Sequence, residues 1–148
     1  MEQWDPAPGV VTLPDGRRVR GTSLRNERRG KSAPQFAVYL LARTPPTTEW
    51  QQEWVRWPDF RLPTSTNAAI DTLVRAHALA AERRVEVACG GGIGRTGTAI
   101  AFLATLAGLE PERAVAWTRE NYHPRAVETP WQCRWVVTAH SRYLRRFD

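Results

Sequence analysis

Residues 85–97 have the sequence VEVACGGGIGRTG and predict three structural elements in direct succession. The run begins at Val85 with a few apolar, partly β-branched residues, a length and composition typical of a buried strand. Four glycines stand among the five residues between Cys89 and Arg95. From Thr96 onward the apolar residues have helical spacing. The pattern therefore predicts a strand, a glycine-rich loop and a helix.

A loop of this kind can bind a tetrahedral anion. Its backbone N–H groups point inward, and the positive end of the following helix dipole lies beside them. The same groups would stabilise Cys89 as a thiolate, and Arg95 can bind two phosphate oxygens through its planar guanidinium. The predicted phosphate-binding residues are Gly90, Gly91, Gly92, Ile93, Gly94 and Arg95.

The spacing Cys-x5-Arg, followed by Thr96-Gly97, resembles the signature of the cysteine-dependent protein tyrosine and dual-specificity phosphatases. The resemblance implies that Cys89 is the nucleophile and forms a cysteinyl-phosphate intermediate. It also implies that the Thr96 hydroxyl donates to the Cys89 thiolate when this intermediate is hydrolysed, and that no metal or other cofactor takes part. The family normally has histidine before the cysteine, whereas this chain has Ala88.

Three other interpretations of the loop are weaker. A Walker-type loop needs Gly-Lys-Ser/Thr where this chain has Gly94-Arg95-Thr96, and it does not need a cysteine. A dinucleotide-binding loop has a different glycine spacing and an acidic residue about 20 positions later. A glycine-rich turn beside an incidental buried cysteine remains as the structural alternative.

A second motif, Trp57-Pro58-Asp59, lies 30 residues before Cys89, since 89 minus 59 is 30. In the tyrosine phosphatases a Trp-Pro-Asp loop supplies the general acid, so the resemblance implies that role for Asp59. Taken alone the motif is a common turn, in which the aspartate would bind its own backbone. Its distance upstream of the cysteine, sufficient for one helix and one strand, favours the catalytic interpretation.

A third candidate, Gln132, lies in the first turn of a helix that Thr129-Pro130 is predicted to begin. Related phosphatases carry a glutamine in a comparable segment that positions the hydrolytic water, which implies the same role here. Neighbouring Cys133 has no glycine loop or basic cradle and is expected to be a small buried side chain. Reversible pairing of Cys133 with Cys89 is left open.

The elements predict one α/β domain over residues 1–148. Residues 10–13 and 19–20 flank the turn Pro14-Asp15-Gly16 and indicate an N-terminal hairpin. A strand is predicted at 36–41, a short helix at 47–54, and a longer helix from about 65 to 83 or 84. Further helices are predicted at 96–108, 112–121 and from 130. The resemblance implies a small central, mainly parallel sheet of four or five strands, flanked by helices.

The net charge of +6 comes almost entirely from arginine, because Lys31 is the single lysine among 21 basic residues. We attribute this bias to a GC-rich, bacterial-type genome rather than to nucleic-acid binding, since no nucleic-acid-binding motif is present. The first residues lack the features of a signal peptide, and the longest apolar run is too short to cross a bilayer. A cysteine that must stay reduced favours a cytoplasmic location.

The sequence thus predicts a phosphatase that hydrolyses phosphate monoesters, most simply phosphotyrosine in proteins, and that phosphate-like anions inhibit. The loop contains no lysine, which phosphoinositide-directed relatives use to bind polyanions. Activity on phosphoserine or phosphothreonine is left open. Two alternatives remain: a catalytically weak phosphate-binding module, suggested by Ala88, and a basic nucleic-acid-binding protein, suggested by charge alone.

Overall fold

The computed structural model of the protein describes residues 3–25 and 31–148. Residues 25–32 are polar and basic, which predicts a loop, and most of this segment lies outside the described residues. In chain order the described elements are β1 (Val10–Thr12), β2 (Arg18–Ser23), β3 (Phe36–Leu41), β4 (Gln51–Arg56), α1 (Thr66–Leu79), β5 (Val85–Cys89), α2 (Gly94–Leu106), α3 (Pro111–Asn121), α4 (Pro130–Leu144) and a 3-10 turn (Arg145–Phe147). None of the helices in the described part of the chain is long and apolar enough to cross a membrane.

The strands form one sheet in the order β1-β2-β5-β3-β4. β1 and β2 form the antiparallel hairpin at its edge, with Val11 opposite Val19. The other neighbours, β2 with β5, β5 with β3 and β3 with β4, are all parallel. Parallel strands share one direction, so their carboxyl ends lie along the same edge, where ligands bind in open α/β sheets. The predicted mainly parallel sheet with an N-terminal hairpin is confirmed.

The main hydrophobic core lies between the sheet and the helices. α1 packs on β3 and β4, α2 packs on β2 and β5, and α3 and α4 pack against α2. Because alternate side chains of a strand point to opposite faces, every second residue of β5 enters this core, namely Val85, Val87 and Cys89. The sulfur of Cys89 therefore lies on the helix side of the sheet.

The opposite face of the sheet contains a buried ion pair. One carboxylate oxygen of Glu86 accepts hydrogen bonds from Arg20 Nε at 3.0 Å, Arg20 Nη2 at 2.7 Å and Thr22 Oγ1 at 2.7 Å. The Arg20 guanidinium also lies 3.9 Å from the centre of the Trp4 ring. Glu86 is fully buried, and a buried charge is tolerated only when paired and hydrogen-bonded in this way.

The prediction of a helix at residues 47–54 is wrong. Residues 51–56 instead form β4, which pairs along its whole length with β3 from Phe36–Gln51 to Leu41–Arg56. The sequence of β4 is polar because it is an edge strand with most of its side chains at least partly exposed. Pairing with an otherwise open strand outweighs the local preference of such residues for a helix.

The bounds of the first helices also differ from the prediction. α1 ends at Leu79 rather than at residue 83 or 84, and the following residues form turns. α2 spans Gly94–Leu106 rather than residues 96–108, so that Arg95 belongs to its first turn. The helix predicted at 112–121 is confirmed with Pro111 as its first residue, and so is the helix predicted from 130, which Thr129 caps through its side chain.

A close approach between β2 and the end of α3 supports the loop that follows β5. The Tyr122 ring lies against Gly21, where an added Cβ would overlap the ring. From that position the Tyr122 hydroxyl donates a hydrogen bond to the carbonyl of Gly92. Burial, together with the charges of Cys89 and Glu86, raises the pKa of Tyr122, so the hydroxyl keeps its proton.

We expect Gly21→Ala to lower the free energy of unfolding by about 1–3 kcal/mol, because the added methyl displaces a fitted aromatic ring. Tyr122→Phe keeps the ring and loses only the hydroxyl, so its cost should be about 1 kcal/mol. Urea denaturation followed by circular dichroism measures both values. A Gly21→Ala protein as stable as the wild type would contradict this account of the contact.

Candidate active site

The site lies where the parallel strands end, around residues 89–95, which we call the phosphate loop. The loop connects β5 directly to α2. Gly92 has a φ of 69°, and a Cβ on it would stand 2.7 Å from the backbone nitrogen of Ser23. Only glycine fits this position, because it needs both the left-handed conformation and the contact with the end of β2.

Cys89 is the last residue of β5 and is almost completely buried at the base of the phosphate loop. Its sulfur accepts hydrogen bonds from the backbone N–H of Gly92 at 3.1 Å and from the Thr96 hydroxyl at 3.0 Å. Both donors stabilise a negative sulfur, and the N-terminus of α2 adds its dipole. The arrangement favours a nucleophilic thiolate.

Arg95 is buried in the first turn of α2 and extends between the phosphate loop and the Trp-Pro-Asp segment. Its Nη1 donates to the Trp57 carbonyl at 3.0 Å, which fixes the plane of the guanidinium. Its buried Nε has no hydrogen-bond partner among the described residues. Buried donors without a partner are uncommon in folded proteins, and an oxygen of a bound anion would supply one here.

Asp59 follows β4 in residues 57–62, which we call the acid loop. Trp57 anchors this loop through complete burial and through a 2.7 Å hydrogen bond from its Nε1 to the Arg61 carbonyl. The Asp59 carboxylate is 40% exposed, and Oδ1 lies 3.5 Å from Arg95 Nε. The structure therefore brings Asp59, Arg95, Cys89 and Thr96 together, as the motifs predicted.

Arg25 is a member of the site that the sequence analysis did not identify. It follows β2, and its backbone N–H donates to the Gly90 carbonyl at 3.0 Å. Its exposed guanidinium lies 3.7 Å from Asp59 Oδ2 and beside Gly90 and Gly91 at the mouth of the loop. In the sequence Arg25 begins a run of basic residues, and only the pairing of β2 with β5 distinguishes it from the others.

The side chain of Gln132 is fully buried and belongs to the cap of α4. Its Oε1 accepts hydrogen bonds from the backbone N–H groups of Glu128 at 3.0 Å and Thr129 at 3.1 Å. Its Nε2 donates to the Arg61 carbonyl at 3.2 Å, linking α4 to the acid loop. These contacts give Gln132 a structural function, and its suggested role with water stays a prediction.

Glu128 is a second residue that the sequence analysis did not identify. Its carboxylate lies against the phosphate loop, since a Cβ on Gly94 would overlap Glu128 Oε1. The preceding residue, Val127, has a φ of 63°, and Arg119 donates to the carbonyls of Ala126 at 2.8 Å and Val127 at 2.7 Å. An acidic residue just before a capping threonine was the only sequence signal.

Ala88 occupies a fully buried position on the face of the sheet opposite Cys89. It pairs in register with Tyr39 on one side and with Thr22 on the other. The Tyr39 hydroxyl accepts a 3.0 Å hydrogen bond from Trp50 Nε1, so this aromatic pair fills the region beside Ala88. A small residue at position 88 suits these neighbours.

The arrangement can bind an oxyanion, attack it with sulfur and exchange a proton with it. In such chemistry the N–H groups of the loop and Arg95 would bind the anion, Cys89 would be the nucleophile and Asp59 would exchange the proton. Within residues 3–25 and 31–148 no cluster of three histidine, cysteine or acidic side chains could hold a metal ion. Both cysteines are free, and Cys133 is partly exposed.

Two solved structures have a similar fold. The fold matches a crystal structure of Tk-PTP in the active form with a TM-score of 0.71 and 23% identity, over 91% of this chain and 98% of that one. It also matches a crystal structure of PTPMT1 with a TM-score of 0.52 and 16% identity, over 76% and 79% of the two chains. No curated protein sequence matches the chain.

The sequence model of one family, described as protein-tyrosine phosphatase, matches residues 19–139. This range includes the acid loop, the phosphate loop and most of α4. Because it covers most of the 148 residues, the chain belongs to the protein-tyrosine phosphatase family.

Proposed function

We propose that the protein hydrolyses phosphate monoesters, with phosphotyrosine in proteins as the main substrate, through a cysteinyl-phosphate intermediate. The observation that carries the proposal is the geometry around Cys89. Two donors converge on its sulfur, and Arg95 Nε, which makes no hydrogen bond to the described residues, lies 3.5 Å from Asp59 Oδ1. A bound phosphate dianion would accept hydrogen bonds from the loop and from Arg95 above the sulfur.

In the first step the Cys89 thiolate attacks phosphorus, the S–P bond forms, and the P–O bond to the leaving group breaks. The protonated carboxyl of Asp59 gives its proton to the departing oxygen. Before substrate binds, Asp59 lies within ion-pairing distance of Arg95 and Arg25. An incoming dianion would compete with Asp59 for these two cations.

In the second step a water molecule attacks phosphorus, the S–P bond breaks and inorganic phosphate forms. The Asp59 carboxylate accepts a proton from that water. The Thr96 hydroxyl stabilises the departing thiolate through the contact it already makes with the Cys89 sulfur. We propose that Glu128 orients this water; its carboxylate lies against Gly94, next to Arg95.

The loop favours monoesters with one phosphate. Its five residues between Cys89 and Arg95 carry no charged side chain, and the cations that the described residues bring to Asp59 are Arg95 and the more exposed Arg25. Hydrolysis of phosphoserine or phosphothreonine is compatible with the same chemistry. A thiolate nucleophile requires reducing conditions, for which we propose the cytoplasm as the location.

The decisive experiment is turnover of 4-nitrophenyl phosphate in the presence of a metal chelator. We expect Cys89→Ser to lower kcat by about a thousandfold or more, because a hydroxyl is a far weaker nucleophile than a thiolate. Binding of inorganic phosphate, measured by calorimetry, should persist because the backbone cradle is unchanged. Cys133→Ser is the matched control and should keep full activity.

Turnover that survives in Cys89→Ser would overturn the mechanism. Anion binding without turnover in the wild type would instead favour a binding module.

The role of Asp59 predicts a dependence on the leaving group. Asp59→Asn should slow phenyl phosphate by about a hundredfold or more, since phenolate leaves poorly without a proton. The loss should be much smaller for 4-nitrophenyl phosphate. Rates across a series of aryl phosphates measure the effect, and Asp71→Asn, at an exposed position on α1, serves as the control. An equal loss for every leaving group would exclude Asp59 as the acid.

The second step separates Glu128 from Gln132. Glu128→Ala should slow hydrolysis of the intermediate, so rapid-mixing experiments should show a burst of nitrophenol followed by a slow steady rate. Gln132→Ala should mainly lower stability, by about 1 kcal/mol, because it removes the capping box. Glu120→Ala on the exposed face of α3 is the control for Glu128. A burst in Gln132→Ala alone would return the role to Gln132.

A further inference from the structure

Three exposed apolar side chains lie together beside the acid loop: Phe60, Leu62 and Trp131, which we call the apolar shelf. Their exposed fractions are 53%, 37% and 45%. All three line one cavity of about 790 Å³, and Asp59 forms part of the same wall. Clustered exposed apolar side chains on a soluble protein commonly mark a binding surface.

The apolar shelf is held in a defined shape. Trp131 Nε1 donates a 2.6 Å hydrogen bond to the Phe60 carbonyl, which ties the first turn of α4 to the acid loop. The neighbouring Arg61 carbonyl accepts from Trp57 and from Gln132. Phe60 has a φ of 60°, a conformation that residues other than glycine adopt only where their surroundings enforce it. The hydrogen bonds of the acid loop therefore hold the Phe60 ring in its exposed position.

The position of the cavity indicates what could occupy it. Asp59 lines the cavity and also lies 3.5 Å from Arg95, so an occupant would be close to an anion bound in the phosphate loop. Successive Cα atoms of a peptide are about 3.8 Å apart, so a residue within two positions of a phosphorylated tyrosine can reach it. The charged groups of the lining, Asp59 and Arg61, have opposite signs and favour neither charge.

We propose that the apolar shelf binds an aromatic or large aliphatic side chain located within two residues of phosphotyrosine in a protein substrate. This inference rests on the proposed phosphatase function and specifies the substrates that the site prefers. The partly exposed ring of Trp131 can contact such a side chain over an area that alanine or glycine in the substrate cannot match.

The test compares phosphotyrosine peptides that have an alanine background and a single phenylalanine at position −2, −1, +1 or +2. At one of these positions phenylalanine should raise kcat/KM about tenfold over the all-alanine peptide, as expected for partial burial of a large apolar side chain. Trp131→Ala and Leu62→Ala should reduce this ratio towards one, and Trp131→Phe should retain most of it. Because both kcat/KM values are measured on the same variant, their ratio cancels any effect of the substitution on the acid loop itself.

Val137 on α4 provides a matched control, because it is 36% exposed and lies outside the cavity. Val137→Ala should keep the tenfold preference. A parallel measurement uses Cys89→Ser, in which fluorescence anisotropy gives the Kd of the alanine and phenylalanine peptides without turnover. The preference should be visible there as well.

Several results would overturn the proposal. They are equal kcat/KM values for the alanine and phenylalanine peptides, a larger gain from glutamate than from phenylalanine, or a gain that persists in Trp131→Ala. A dimer of the wild type that Trp131→Ala converts to a monomer, with no peptide preference, would instead assign the shelf to self-association. These results differ from failure of the phosphatase function, in which neither aryl phosphate nor the alanine peptide is hydrolysed in a Cys89-dependent way.

Discussion

The carbonyl groups of the phosphate loop accept hydrogen bonds from residues outside the loop, and these bonds determine the direction of its N–H groups. The carbonyls of Cys89 and Gly90 accept from the backbone at the end of β2, from Leu24 and Arg25, at 2.9 and 3.0 Å. The Gly92 carbonyl accepts from Tyr122. In a trans peptide the C=O and the following N–H point in opposite directions, so binding the carbonyls outside turns the next N–H groups inward. The direction of these N–H groups is thus set by contacts on the far side of the loop.

Local sequence was sufficient for the parts of the site that lie close together along the chain. The phosphate loop, its flanking strand and helix, and the cap at Thr129 each depend on neighbouring residues, and each was predicted. Asp59 could be predicted only from a motif, because its contact with Arg95 arises from the tertiary structure and not from local sequence. The polar strand β4 was missed for a related reason, since its conformation is set by its pairing with β3.

Arg25 and Glu128 show a different limit. Each is an ordinary charged residue in a polar segment, and neither has a motif of its own in the sequence. Their positions depend on contacts that no motif marks: Arg25 on the hydrogen bond to Gly90, far away in sequence, and Glu128 on the support that Arg119 gives to the preceding carbonyls. Charge patterns alone cannot distinguish such residues from solvated ones.

Under the proposed function, the carboxylate of Glu128 would also influence how long an anion stays in the phosphate loop. A cradle of N–H groups with a buried guanidinium would hold phosphate tightly, and tight retention of the product limits the rate of any catalytic cycle. The negative charge of Glu128 beside Gly94 would oppose that retention by Coulomb repulsion, which solvent reduces because Glu128 is exposed. This position would therefore link the strength of ground-state anion binding to the rate at which the empty site is regenerated.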